Sequence, residues 1–237
     1  MEKTTDVSVR EVSFKLMSYT RSLELCARMN YETENLDFID LIKPGETLYD
    51  LGACEGRFSL YAALKGIHVF SFEPEQKNFK VLNENVALNN LNKGQINVFN
   101  VAVGDINHEG ILKIGQPWEG GHQKVVEHGQ IRQDLNFNFT DEQKIKIVSL
   151  DNFIAENKIP VADFMKIDID GSEVPFIHGA AKTLSSSHLK GIIIELDKKD
   201  KMYGWIVDEL KAMDFVLKSE HQVPNEPSLF NFIFLKP

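Results

Sequence analysis

The chain has 237 residues, 43% of them hydrophobic and 26% charged. That suits one α/β domain with a short extension and a core large enough to need no covalent staple. No run approaches the ~20 apolar residues of a membrane span, the first residues lack the apolar core of a secretion signal, and the two cysteines, Cys26 and Cys54, make no disulfide framework. No membrane partner is therefore expected, and a cytoplasmic location follows by default. A net charge of −9 argues against a nucleic-acid partner, whose binders carry a basic face, and fits a small or neutral one.

Residues 8–30 place Val9, Val12, Leu16, Tyr19, Leu23 and Cys26 at alternating spacings of three and four, which predicts a helix with one apolar seam. The expected division is a helical extension over 1–33 and a main domain over 34–237. The seam packs on the chain itself or, as the alternative, forms a lid or a homodimer contact. After a Lys43–Glu46 turn, residues 47–51 read as a strand, Gly52–Gly56 as a loop, 57–65 as a helix stopped by Gly66, and 67–72 as a second strand ending at Glu73-Pro74. A helix over 75–90 and a third strand over 95–103 follow. Alternation of strand and helix implies a parallel sheet with right-handed crossovers.

Residues 106–148 interrupt this rhythm. Gly110, Gly115, Gly120, Gly121 and Gly129 punctuate short apolar runs and predict a hairpin-like insertion with a long loop, a length that usually marks either function or a mobile surface excursion. Trp118, His122, Phe137 and Phe139 are its candidate substrate-facing residues. Further on come a helix over 150–158, a buried strand over 162–169, a helix over 173–184, a strand over 190–196, a helix over 203–213, and a final strand pair at 216–220 and 229–236 joined by a Pro-rich turn.

A Gly-x-x-x-Gly loop between strand and helix lets a ligand approach the backbone and the free N–H groups of the helix start. Glu73, at the tip of the second strand, is placed to accept both ribose hydroxyls of a nucleoside. The loop lacks the middle glycine of the dinucleotide fingerprint, carrying Cys54 there, and Asp50 and Glu55 bracket it. Those carboxylates would repel a pyrophosphate and attract the ammonium and sulfonium of S-adenosylmethionine. Asp105, after the third strand, is the candidate beside adenine.

These residues resemble a known family. YDLGACEGRFSLYAA followed by FSFEP, then VSLDNFI, FMKIDIDGSEVPFIHGA and GIIIEL, are similar to the motifs of the FkbM-type methyltransferases, in order, over about residues 32–236. The resemblance implies the class I methyltransferase fold, with a seven-stranded sheet of order 3-2-1-4-5-7-6 whose seventh strand is antiparallel. It also implies S-adenosylmethionine as methyl donor and a hydroxyl acceptor on a sugar, glycan or secondary metabolite. The chain departs from the family at Cys54-Glu55, where Asn-Ile is common, and at Asp170, where Glu is usual. Candidate cofactor contacts are Asp50, Gly52, Ala53, Glu55, Gly56, Glu73, Pro74, Ala102, Asp105 and Asp168.

Ligands of open α/β sheets bind at the carboxyl ends of the strands. Alternation puts Lys166, Asp168 and Asp170 on one face at such an end. Asp168 is the candidate for orienting or deprotonating the acceptor, with Lys166 beside it as catalytic partner; a structural Lys–Asp pair is the alternative. Glu173 either serves the site or caps the next helix, and Glu195, His122 and His178 are secondary candidates for substrate contact or base. The histidines show no ligand spacing and no metal is assigned, although Asp168, Asp170 and Glu195 would suit Mg²⁺. Competing functions are methylation of a nucleic acid or protein, and a nicotinamide-dependent oxidoreductase.

Overall fold

The computed structural model describes residues 3–127 and 138–237; Gly129 and Phe137 of the insertion lie outside them. The chain opens with β1 (Thr4–Val9) and β2 (Val12–Met17), an antiparallel hairpin turning at Arg10, whose φ is +53°. Only then comes α1 (Arg21–Cys26), a helix of under two turns whose Thr20 cap accepts the Leu23 N–H at 3.2 Å. The helix expected over 8–30 is therefore a strand hairpin up to Met17 and helical only over Arg21–Cys26. Val12, Phe14 and Leu16 face inward at a spacing of two, and β-branched and aromatic residues favour a pleated, half-buried surface. The three-and-four spacing arose by counting across the hairpin turn and into α1. The seam offered to a second copy is largely used inside the chain: Val12, Leu16, Leu23 and Cys26 are all buried.

The main sheet follows. Its elements are α2 (Glu34–Ile39), β3 (Thr47–Leu51), α3 (Arg57–Leu64), β4 (His68–Phe72), α4 (Gln76–Leu88) and β5 (Ile96–Phe99), then, beyond the insertion, α5 (Leu150–Asn157), β10 (Phe164–Ile167), α6 (Glu173–Gly179), α7 (Ala181–Ser185), β11 (Gly191–Asp197), α8 (Tyr203–Ala212), β12 (Val216–Gln222) and β13 (Leu229–Leu235). The strands lie in the order β5-β4-β3-β10-β11-β13-β12, with β13 antiparallel to both neighbours. Numbered one to seven along the chain, this order reads 3-2-1-4-5-7-6.

Two core layers flank the sheet, and its central strands serve both. Tyr49, Leu51, Phe70, Phe72, Met165 and Ile167 pack with Phe153, Phe176 and Leu210 of α5, α6 and α8. Leu48, Val69, Phe164 and Ile193 pack on the other side with Phe38, Phe58 and Leu60, together with Val7, Val12, Phe14 and Leu16 of the hairpin. Strands buried on both faces read as continuous apolar runs, as these do.

Two elements break where the sequence predicts continuity. The strand expected over 95–103 splits because Asn100 Nδ2 donates to the Glu73 and Pro74 carbonyls, both at 2.9 Å. The chain then leaves the main sheet as β6 (Ala102–Gly104). With β7 (His108–Ile114), β8 (Lys124–Val126) and β9 (Asp141–Ser149), β6 forms a second sheet of order β6-β9-β7-β8. The helix expected over 173–184 breaks at Ala180 into α6 and α7. There Gly179 meets β6 so closely that a Cβ would lie 1.9 Å from the Gly104 carbonyl oxygen, and Ser149 Oγ donates to the Gly179 carbonyl at 2.9 Å.

One buried amide ties the hairpin to the rest. Asn85 of α4 accepts the Met17 N–H at 2.7 Å and donates to the Glu55 carbonyl at 2.8 Å. Each buried backbone group left unpaired costs about 1–3 kcal/mol. Asn85→Ala is accordingly expected to lower the unfolding free energy by about 2–4 kcal/mol in urea titrations; an unchanged midpoint would mean the hairpin is not held through this residue.

Candidate functional site

The loop from β3 to α3 is shaped by what lies behind it. Gly52 has φ +79°, and a Cβ there would sit 1.7 Å from the Asp168 carbonyl oxygen. Gly56, at φ +87°, would carry its Cβ to 2.1 Å from Leu82 Cδ1. Both glycines therefore serve a left-handed backbone and close packing. Cys54 shares the left-handed region, at φ +51°.

Beneath the loop lies a polar row buried in the sheet. Register places Ser71, Asp50 and Lys166 side by side on β4, β3 and β10. Ser59 Oγ donates to Asp50 Oδ2 at 2.6 Å and lies 2.7 Å from Ser71 Oγ. Lys166 Nζ is 3.3 Å from Asp50 Oδ1 and 3.2 Å from Asp168 Oδ2, and donates to the Gly52 carbonyl at 3.4 Å. Burial opposes the Lys166 charge, but Asp168, Asp50 and Glu32 outweigh it and hold the ammonium above its ordinary pKa. Lys166 is thus a fixed cation that positions the loop and Asp168; it is not a proton acceptor.

A second charged chain runs along the other side of the loop. Glu55, 1% exposed, pairs with Arg57 at 3.0 Å, and Arg57 pairs with Glu32 at 3.1 Å. Burial works against the Glu55 carboxylate, yet Arg57 prevails and brings its pKa to about 2. Glu32, in contrast, is pushed up to about 7 by burial. The charge of Glu55 is therefore largely met within the protein, which the sequence reading did not anticipate. Its Oε2 nevertheless remains buried with no hydrogen-bond partner among the described residues.

Glu73 ends β4 and is 4% exposed. Its Oε2 accepts the Cys54 N–H at 2.8 Å and its Oε1 accepts the Glu75 N–H at 2.9 Å. Burial raises its pKa to about 7, against the pull of Lys124 and those two N–H groups.

These parts enclose a pocket. Gly52, Ala53, Glu55, Glu73, Pro74, Ala102, Lys166 and Asp168, all candidates from the sequence, line it. Three expected contacts stand elsewhere. Asp50 lies behind the loop in the polar row, and Gly56 turns into the Leu82 side chain. Asp105 is exposed beyond β6, its Oδ1 accepting the Ile106 N–H at 2.9 Å. Because the third strand breaks at Asn100, residues 101–103 form that wall and Asp105 is carried past it. The sequence reading missed Arg57, Asn78 and Lys124, which also line the pocket. Their signals are weak: each is an ordinary polar residue on a helix or strand, recruited by tertiary approach.

A larger cavity, of about 1140 Å³, adjoins the pocket. Tyr31, Leu25 and Trp118, all more than 40% exposed, stand on its apolar side. Glu32, Glu173, Glu195, Asp197 and Glu226 make its acidic side. Arg57, His122, Asp168 and Asp170 line both spaces. The loop between β7 and β8 roofs the junction. Gly120 N–H donates to Asn78 Oδ1 at 2.8 Å, Asn78 Nδ2 donates to the Gly121 carbonyl at 3.2 Å, and Trp118 Nε1 donates to Ser22 Oγ at 2.8 Å. Phe139 and His178 do not join this lining; His178 packs edge-on against Trp205 instead. Glu173 Oε1 accepts the Gly171 N–H at 3.0 Å, at the start of α6.

Residues 50–217 match the Methyltransferase FkbM domain. The chain belongs to the FkbM methyltransferase domain family. The 31-O-demethyl-FK506 methyltransferase FkbM of Streptomyces tacrolimicus is 24% identical over 203 residues, 76% of each chain. Among solved structures, a methyltransferase FkbM from Methylobacillus flagellatus KT is similar at TM-score 0.55 and 18% identity over 81% of this chain. Fibrillarin of Aeropyrum pernix, solved with natively bound S-adenosyl-L-methionine, is similar at TM-score 0.50 and 8% identity, over 87% of this chain and 75% of its own. The chain spans 44% of the Methylobacillus protein's length. At such identities the likeness is one of fold.

Acids crowd the strand ends of this FkbM domain. One carboxylate oxygen each from Asp168, Asp170 and Glu195 lie within 4.8 Å of one another. Burial and that mutual repulsion raise Asp170 to about 7 and Glu195 well above its ordinary value.

Two outcomes are expected. Lys166→Met leaves Asp50 and Asp168 without their cation; breaking a buried pair costs about 3–5 kcal/mol, read as a lower urea midpoint and restored in part by adding Asp50→Asn. The second concerns pH. Glu73 has a folded pKa of about 7 against an ordinary 4.5, so its contribution to stability is fully present below about 4.5 and lost as pH rises through about 7. The urea midpoint of the native protein relative to Glu73→Gln is expected to fall across that window and level off above it; a flat difference would place Glu73 in water.

Proposed function

We propose that this FkbM domain is an S-adenosylmethionine-dependent methyltransferase acting on a hydroxyl of a sugar, glycan or secondary metabolite. The observation that carries the donor is the orphaned Glu55 Oε2 in a pocket that also contains Glu73. A buried carboxylate oxygen without a partner suits the ammonium of the methionine moiety. Glu73, at the strand end, suits ribose hydroxyls. A pyrophosphate would meet those two carboxylates and is disfavoured, as is a nicotinamide cofactor.

The donor supplies an activated methyl group when bound, and the protein's part is alignment, which is able to contribute several kcal/mol. Asp168, held by Lys166 at the mouth between pocket and cavity, accepts a hydrogen bond from the acceptor hydroxyl and orients it. Trp118 and Tyr31 offer flat apolar faces to the acceptor body, and the surrounding carboxylates accept hydrogen bonds from its other hydroxyls. The acidic lining disfavours a nucleic acid, whose phosphates need cations. The similarity to the 31-O-demethyl-FK506 methyltransferase of Streptomyces tacrolimicus supports a small-molecule acceptor.

The test is calorimetric titration with S-adenosylhomocysteine and, separately, NADH. Micromolar binding of the first alone, weakened at least tenfold in Glu73→Ala, is expected. No binding of the first, or clear binding of NADH, would overturn the reading.

A further inference from the structure

Four side chains border both the cofactor pocket and the larger cavity: Arg57, His122, Asp168 and Asp170. Any hydroxyl that reaches a methyl group through this junction passes among them, and its proton must leave to one of them or to water. Three are already engaged. Arg57 is a permanent cation bound to Glu55 and Glu32. Asp168 is paired with the Lys166 ammonium at 3.2 Å. Asp170 sits at φ +38° just past β10, accepting the Lys124 N–H at 3.3 Å.

His122 differs. Its backbone is held, the N–H donating to Gln116 Oε1 at 3.0 Å, and the flanking Gly121 and Lys124 are tied to Asn78 and Glu75. Its ring has no hydrogen-bond or ion-pair partner among the described residues, and it lines the junction of the two spaces. A ring carried on an anchored backbone, aimed into the junction and left without a partner, has no evident structural role.

We infer that His122 is the general base of methyl transfer, its free ring nitrogen accepting the acceptor's hydroxyl proton at the junction of the two spaces. This rests on the methyltransferase reading above. The oxygen forms a bond to the methyl carbon, the carbon–sulfur bond breaks with its electron pair returning to sulfur, and the proton passes to the imidazole. The products are a methyl ether, S-adenosylhomocysteine and an imidazolium beside Asp168. The charged groups facing the ring are Arg57 on α3, Glu55 in the β3–α3 loop, Asp168 and Asp170 after β10, and Lys124 on β8. Burial first, then Arg57, lower the pKa of the ring below its ordinary 6.5 in spite of Glu55 and Asp168. The imidazole is therefore neutral and ready at pH 7.

The test uses the full chain in two arms. The ¹⁵N shifts of the His122 ring, assigned by comparison with His122→Gln, are expected to show a neutral imidazole at pH 7 that shifts when S-adenosylhomocysteine is added. A ring already charged at pH 7 would overturn the proposal, and this arm needs no acceptor. In the second arm, His122→Gln is expected to bind S-adenosylhomocysteine within twofold of the native protein, which shows that it folds. Its kcat toward an acceptor hydroxyl falls about 10²–10⁴-fold, as for loss of a general base, and imidazole in solution restores part of the rate to His122→Ala. A His122→Gln variant within threefold of native kcat overturns the role. A native protein that fails to bind S-adenosylhomocysteine overturns the methyltransferase reading instead, a result distinct from either.

Discussion

The buried ammonium of Lys166 is the constraint on which the site depends. It stands in the middle of a seven-stranded sheet, where an unpaired charge is not tolerated, and it is met by Asp50 on one neighbouring strand and Asp168 two residues along its own. Its contact with the Gly52 carbonyl ties the loop to the same centre. Ser59 and Ser71 complete the row through Asp50. Buried pairs of this kind add little net stability, because desolvation offsets the attraction. Here the arrangement fixes geometry: the loop, the strand end and the Asp168 carboxylate are held relative to one another before any ligand arrives.

The insertion provides what the sheet alone lacks. An open α/β sheet offers a crevice at its strand ends, and many chemistries share that scaffold. In this chain the β7–β8 loop crosses the crevice, anchors on Asn78 and Ser22, and brings Trp118 to the larger cavity and His122 to the junction of the two spaces. The N-terminal hairpin closes the same side. Its strand β2 is bonded through Asn85 to the Glu55 carbonyl, and residues 20–32 behind it line the larger cavity. The larger cavity is thus lined mainly by segments outside the sheet, while the smaller pocket is built mostly at the sheet's strand ends.

The sheet was readable because its strands are buried on both faces and appear as apolar runs between turn residues, and because the charged exceptions, Asp50 and Lys166, stand out against them. The insertion was readable from its glycines and its break in rhythm. The N-terminal segment was misread because Val12, Leu16 and Leu23 satisfy a helical count while lying on two elements, with a turn between β1 and β2 that carries no glycine. Asp105 was misplaced because Asn100, through two side-chain hydrogen bonds to the Glu73 and Pro74 carbonyls just past β4, redirects the chain, an event with no local signature.

By itself, the sequence determined the alternation of strands and helices, the glycine loop that opens the first helix of the sheet and most of the residues that line the pocket beside it, since these follow from hydrophobic period, glycine placement and strand-end position, all local properties. Only the tertiary structure decided which charges are free. Among the described residues, Glu55 pairs with Arg57 and Asp50 with Lys166, while Glu55 Oε2 and the His122 ring are among the groups with no hydrogen-bond partner. Electrostatic pairing depends on distances between residues far apart in the chain, and no local pattern encodes those.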